Sequence, residues 1–318
     1  MTIFFTVATV SYLPQAITLL DSVKKFHPEY LLYIGLVDYV ERPTIEQDQL
    51  LNKYNIIQLH ELNSPDFDFI TSTYSPSELS NCSKVLFAEF FLNQKNITRV
   101  IFSDSDMLYF NKLPEPEQNA SIIITPHYFT PPPIHFKDLE LEVINAGMFN
   151  AGFFILNKSE EAATFIQWLK ERCIPECVDN RCKGIYFDQT WFNFIPLYFK
   201  DSFINKNVGL NIAYWNLHER ELIFKNDSYW VNTDNPLIFF HYSGWDYFAP
   251  ESISKFQHRY TVEKRPDTLS IMMLYKSLLK ENFYEEYINK PNYYMEMRKP
   301  IKPEKKESIL TRFLKLVN

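Results

Sequence analysis

The chain opens on a repeated alternation of short apolar runs and longer helix-like stretches. Ile3–Ala8, Leu31–Val37, Ile56–Leu59 and Val100–Phe102 have the length of strands and little polarity. Between them Leu13–Phe26, Thr44–Tyr54 and Ser77–Asn93 read as helices, the first with Pro14 in its opening turn. Strands buried on both faces and joined by helices pair in parallel. The pattern predicts an α/β fold with a mostly parallel central sheet flanked by helices. In such sheets ligands collect beyond the carboxyl ends of the strands. The last of the four runs ends there in Ser103-Asp104-Ser105-Asp106.

The second half is less regular. Pro131-Pro132-Pro133 is a stiff loop, Phe153–Leu156 a strand and Ala162–Arg172 a helix. Ile238–Phe240 is a strand ending at His241, and Leu269–Tyr287 reads as one helix with an apolar stripe.

Composition removes several classes of function. Only 6 of 318 residues are glycine, and neither phosphate-loop nor dinucleotide fingerprint occurs. No apolar run approaches the ~20 residues that cross a bilayer. The N-terminus lacks a basic region and a cleavage site, so a cytoplasmic protein is expected. Residues 298–318 carry a net charge of +5 and the remainder −12. An acidic body argues against nucleic acid as a partner. Cys173, Cys177 and Cys182 lack paired zinc spacing and, with Cys82, read as reduced loop cysteines.

Asp104 and Asp106 stand one residue apart at a strand end. Both can reach one hard divalent cation, which prefers oxygen ligands and bridges to phosphate. A bare D-x-D is also a common loop sequence, and haloacid-dehalogenase-type phosphatases carry one. Theirs lies near the chain start and is followed by Thr or Val, whereas Met107 follows here.

Further segments accompany the D-x-D in a fixed order. They are Phe149-Asn150-Ala151-Gly152, then Asp188-Gln189-Thr190-Trp191, then Gly209-Leu210-Asn211-Ile212, and last His241-Tyr242-Ser243-Gly244. Apart from the Gly209 segment, which looks like a bacterial branch of GT-A proteins adjacent to it, they resemble in this order glycosyltransferase family 8, retaining enzymes of the GT-A fold. The resemblance covers residues 2 to about 260. It implies a GT-A glycosyltransferase domain over 1–260; beyond it the residues themselves predict a C-terminal helical extension over 261–297 and a basic amphipathic tail over 298–318.

The resemblance also implies roles. Asp104, Asp106 and His241 would hold Mn²⁺ or Mg²⁺; a histidine after a buried strand can equally be a core residue. Ala8, Thr9, Tyr12, Lys84, Ser105 and Gly244 would bind a nucleoside-diphosphate sugar donor. Tyr12 reads alternatively as an aromatic staple at a helix start, and Lys84 as a solvated helix residue. Asn150, Asp188 and Gln189 would be catalytic, Asn150 bonding the donor sugar and the other two beside the anomeric carbon, although Asn150 also suits a turn and Asp188 an N-cap. Asn211 would lie on the acceptor side. The family usually has Lys six residues after the histidine; Tyr247 stands there, leaving Lys255 or Arg259 to supply the cation. The expected acceptor is a glycan or a lipid-linked glycan.

Two alternatives stay open. A sugar-phosphate nucleotidyltransferase shares the sheet but starts with a glycine-rich loop, which Ala8–Tyr12 lacks. A non-catalytic sugar-binding relative is the other. In the tail, Ile309, Leu310, Phe313, Leu314 and Val317 fall on one helical face amid Lys and Arg. That pattern suits an anionic membrane surface or docking on the protein, and hence a peripheral location on the inner leaflet.

Overall fold

The computed structural model describes residues 1–298. The proposed amphipathic helix of the tail lies outside the described residues.

Seven strands form the central sheet. Six are β1 (Thr2–Ala8), β2 (Leu31–Leu36), β3 (Asn55–Gln58), β4 (Arg99–Ser103), β6 (Ile122–Pro126) and β7 (Phe149–Asn157); Ser202–Ile204 is the seventh. From one edge they run Ser202–Ile204, β6, β7, β4, β1, β2, β3. β7 alone is antiparallel to its neighbours β4 and β6; the other pairs are parallel. A short strand, β5 (Met107–Tyr109), leaves the sheet and pairs antiparallel with Phe239–His241.

The helices are α1 (Leu13–Phe26), α2 (Arg42–Gln47), α3 (Phe67–Thr73), α4 (Pro76–Leu92), α5 (Asp138–Ala146) and α6 (Glu160–Cys173), followed by shorter pieces. Side chains of β1 alternate between two cores: Ile3, Phe5 and Val7 pack with α4 and α6, while Phe4 and Ala8 pack with α1. This period of two on a doubly covered sheet explains why both faces of the strand are mostly apolar.

Two expected helices are shorter than the sequence suggests. The segment from Thr44 to Tyr54 ends early, because Asp48 accepts hydrogen bonds from the amides of Leu50 (2.9 Å) and Leu51 (3.0 Å). That side chain offers the backbone an alternative to the helix. The helix expected over Leu269–Tyr287 breaks into Leu269–Glu281 and Tyr284–Tyr287. Asn282 turns to donate to Thr18 Oγ1 of α1 (2.9 Å), and Phe283 takes a left-handed backbone with φ 61°. Among the described residues no helix is long and apolar enough to cross a membrane.

The cysteines also differ from the loop reading. Cys82 lies in α4, Cys173 ends α6, and both are buried with Cys177; all four thiols are free.

Candidate active site

The cleft lies at the carboxyl ends of β1 and β4. Asp104 follows β4 directly and its amide donates to Gly152 O (2.7 Å), tying the loop to β7. Asp106 precedes β5. The pairing of β5 with Phe239–His241 sets His241 opposite Met107, and the Tyr242 amide donates to Asp106 O (2.8 Å). Residues 135 positions apart in sequence thus share one site. His241 Nε2 lies 3.0 Å from Asp106 Oδ1 and 3.9 Å from Asp104 Oδ2. The three ligand atoms all fall within 4.8 Å of one another.

Two features of the surroundings fit a cation there. Asn150 Oδ1 is buried and has no hydrogen-bond partner among the described residues. A Cβ on Gly152 would stand 2.5 Å from Asp104 Oδ2, 2.8 Å from Asn150 Oδ1 and 3.0 Å from His241 Cε1. Only glycine leaves that cradle open. Two carboxylates and an imidazole suit Mn²⁺ or Mg²⁺ with phosphate oxygens as further ligands.

Lys84 of α4 is the buried counter-charge. Its ammonium stands 3.2 Å from Asp104 Oδ1 and 3.5 Å from Asp188 Oδ2, with only 7% of the side chain exposed. Burial works against its charge, but the two carboxylates outweigh it and hold Lys84 above its ordinary range. Asp188 is pushed up to about 7 by burial, against the pull of Lys84. Lys84 is therefore not a solvated helix residue, and Asp188 makes no side-chain cap to the helix that follows it.

The amide of Gln189 makes three hydrogen bonds. Its Oε1 accepts from Asn150 Nδ2 (3.1 Å) and from the Ala151 amide (3.2 Å), and its Nε2 donates to Ala146 O (2.9 Å). Behind Asn150 stands His127, which no sequence motif singles out. Its ring faces Met148 O (3.1 Å) and Asn150 Nδ2 (3.5 Å). Burial lowers the His127 pKa to about 4. The unfolded chain then binds the extra proton first, so stability is retained above pH ~6.5 and lost as pH falls towards 4. His127→Asn is expected to flatten that loss, which comes to about 2 kcal/mol between pH 7.5 and 5.0. Urea unfolding at pH 7.5 and 5.0 checks it; equal losses in both proteins would show the acid sensitivity lies elsewhere.

The cleft has three connected lobes. One, about 450 Å³, is lined by Ala8, Thr9, Tyr12, Ser80, Asn81 and Ser105. The second, about 440 Å³, holds Asp104, Asp106 and His241 together with Gly244, Trp245, Lys255 and Tyr275. Tyr12, Lys84, Asp104 and Asp106 line both. A third lobe, about 190 Å³, opens from the second past Asn150 and Gln189 and is walled by Tyr186, Tyr214, Trp215 and Phe256. Gly244 has φ 68°, and a Cβ there would meet Phe256 at 2.4 Å. Lys255 lines the second lobe, while Arg259 sits 3.5 Å from Glu142. Tyr247 turns away to donate to Glu285 (2.8 Å).

Three placements were not legible in the sequence. Asn211 is fully buried against His241 instead of facing an acceptor. Asp38, after β2, accepts from the amides of Val10 (3.1 Å) and Tyr293 (2.7 Å), fixing the loop that carries Tyr12. Tyr275 and Leu279, both from the helix Leu269–Glu281, line the second lobe.

No protein-family model matches the chain. It is 22% identical over 246 residues to the uncharacterized protein YfnF of Bacillus subtilis (strain 168), covering 76% of this chain and 81% of that one. It is 24% identical over 288 residues to YfnD of the same organism, covering 86% of each. Among solved structures it is similar to galactosyltransferase LgtC in complex with donor and acceptor sugar analogs. That match has 13% identity and a TM-score of 0.49, over 88% of this chain and 96% of that one. It is also similar to mouse xyloside xylosyltransferase 1, at 16% identity and a TM-score of 0.44, over 76% and 97%.

Proposed function

We propose that the chain is a metal-dependent glycosyltransferase that moves a sugar from a nucleoside-diphosphate donor to a glycan hydroxyl with retention of configuration. The observation that carries this reading is the cleft itself. Two lobes, each large enough for half of a nucleotide sugar, meet at Asp104, Asp106 and His241, where a diphosphate would lie between base and sugar. A nucleotidyltransferase reading has no comparable support, since the loop after β1 contains no glycine.

In this reading Ala8, Thr9, Ser105 and Tyr12 take the base and ribose in the first lobe. A divalent cation held by Asp104, Asp106 and His241 would supply Lewis-acid neutralisation of the departing diphosphate. Lys84 holds Asp104 in place through their ion pair (3.2 Å). Lys255, beside Gly244, supplies the positive charge that Tyr247 cannot. Asn150 and Asp188 orient sugar hydroxyls. Gln189 does not act as a nucleophile: its Oε1 already accepts two hydrogen bonds and its amide is a weak nucleophile, so its contribution is to fix Asn150. Attack by the acceptor on the face that the diphosphate leaves is then the route to retention. The aromatic walls of the third lobe suit the apolar face of an acceptor sugar. Such work belongs to polysaccharide or lipopolysaccharide assembly on the cytoplasmic side.

The test is a thermal-shift panel of nucleoside-diphosphate sugars with and without Mn²⁺, followed by proton NMR of the product. Stabilisation that needs both metal and nucleotide, and a product of unchanged anomeric configuration, are expected. Binding that is indifferent to metal would remove the reading, and an inverted product would remove its stereochemistry.

A further inference from the structure

The geometry points to Asn211 as the residue that fixes the proton and the orientation of the His241 ring. Asn211 Oδ1 stands 3.2 Å from His241 Nδ1, and Asn211 is 0% exposed. The opposite ring nitrogen, Nε2, faces Asp106 at 3.0 Å. Nε2 can donate a lone pair to a cation only when the imidazole proton is on Nδ1. Asp106 by itself favours the other arrangement, because a carboxylate attracts a proton to the nitrogen that faces it. An acceptor behind Nδ1 opposes that pull, and Asn211 Oδ1 is in that place.

The surroundings argue that this is the purpose of the side chain. Its Nδ2 has no partner among the described residues, so the contact with His241 is its one side-chain hydrogen bond. A buried amide left half unpaired is costly and needs a reason. The loop does not depend on it: Asn216 donates to Asn211 O (2.8 Å) and accepts from the Ala213 amide (3.0 Å). The backbone of the next residue is joined to the histidine strand, with the His241 amide donating to Ile212 O (2.7 Å). Trp215 packs edge-on against the imidazole, ring centroids 5.1 Å apart, so tilt and rotation are fixed by two separate contacts. Partners behind a metal-binding histidine typically alter metal affinity by about 10–100-fold when removed. Asn211 is a positioning residue in this sense, since it acts through His241.

The proposal rests on the metal reading of the site, and its test separates the two. Asn211→Gly removes the side chain and suits the φ of 55° at this position; Asn211→Asp keeps the shape and the acceptor. Mn²⁺ affinity is measured by electron paramagnetic resonance on the full chain without nucleotide. The His241 ring nitrogens are read by long-range proton–nitrogen NMR of the metal-free protein at pH 8. Asn211→Gly is expected to weaken Mn²⁺ binding by about 10–100-fold and to move the proton to Nε2, while Asn211→Asp keeps both near the wild-type values. Wild-type affinity in Asn211→Gly, or a wild-type ring already protonated on Nε2, overturns the role of Asn211 alone. Equal loss in both variants with an unchanged ring spectrum also overturns it. Failure of the wild-type chain to bind Mn²⁺ overturns the metal reading instead.

Discussion

Asp106→Asn is expected to reduce sugar transfer by about a thousandfold while the fold survives. A cation at the diphosphate contributes several kcal/mol of charge stabilisation, and ~4 kcal/mol corresponds to about 10³ in rate. The substitution removes one of two carboxylates from the proposed donor set and leaves the shape of the side chain. The loop does not lose its anchor, because the contact between Asp106 and Tyr242 is made by backbone atoms (2.8 Å). Burial acts to raise the Asp106 carboxyl, but His241 outweighs it and holds the group below its ordinary range. Removing that charge deprives His241 of its partner yet also relieves repulsion from Asp104, so thermal stability is expected to change little. Nucleoside-diphosphate release, followed by chromatography, and Mn²⁺ binding, followed by electron paramagnetic resonance, are the measurements. Turnover within tenfold of wild type would take Asp106 out of the metal site.

The fold was largely legible because its strands report their burial. β1, β2 and β4 are covered on both faces, so each appears as a mostly apolar run, Thr6 being the buried polar exception in β1. What the pattern could not give was where helices stop, since Asp48 and Asn282 end theirs through side-chain hydrogen bonds to competing or distant groups. The site divides in the same way. Asp104 and Asp106 are marked by their position after a strand. His241 is marked only by the order of segments, because its approach depends on the pairing of β5 with Phe239–His241. His127 carried no signal: it follows β6, and what makes it matter is its neighbour Asn150, 23 residues on. Asn211 was visible as a residue but not in its surroundings. Its left-handed backbone and its contact with His241 are properties of the folded loop.

Lys84→Met is expected to have the largest effect on stability. Lys84 stands between two carboxylates that belong to different parts of the chain, Asp104 after β4 and Asp188 before the helix Gln189–Phe192. Methionine fills nearly the same volume without the charge. Removing one partner of a buried ion pair generally costs 3–5 kcal/mol, because the other charge stays buried and unpaired. Here about 3 kcal/mol is expected, since Asp104 keeps 30% of its side chain in solvent while Asp188 keeps 5%. The sign of the pH dependence follows from Asp188. Its folded pKa is already raised to about 7, so its ionisation opposes folding as pH rises from the unfolded value towards 7 and beyond. Without Lys84 the carboxyl rises further and takes up a proton at low pH, which relieves the strain. The loss in Lys84→Met should therefore be larger at pH 8 than at pH 5.5. Adding Asp188→Asn removes the unpaired charge and should recover part of the loss at pH 8, with little change at pH 5.5. Urea unfolding of the wild type, the single and the double variant at both pH values measures this. A single variant as stable as wild type at pH 8 would mean that the two carboxylates find other partners and that Lys84 does not hold them together.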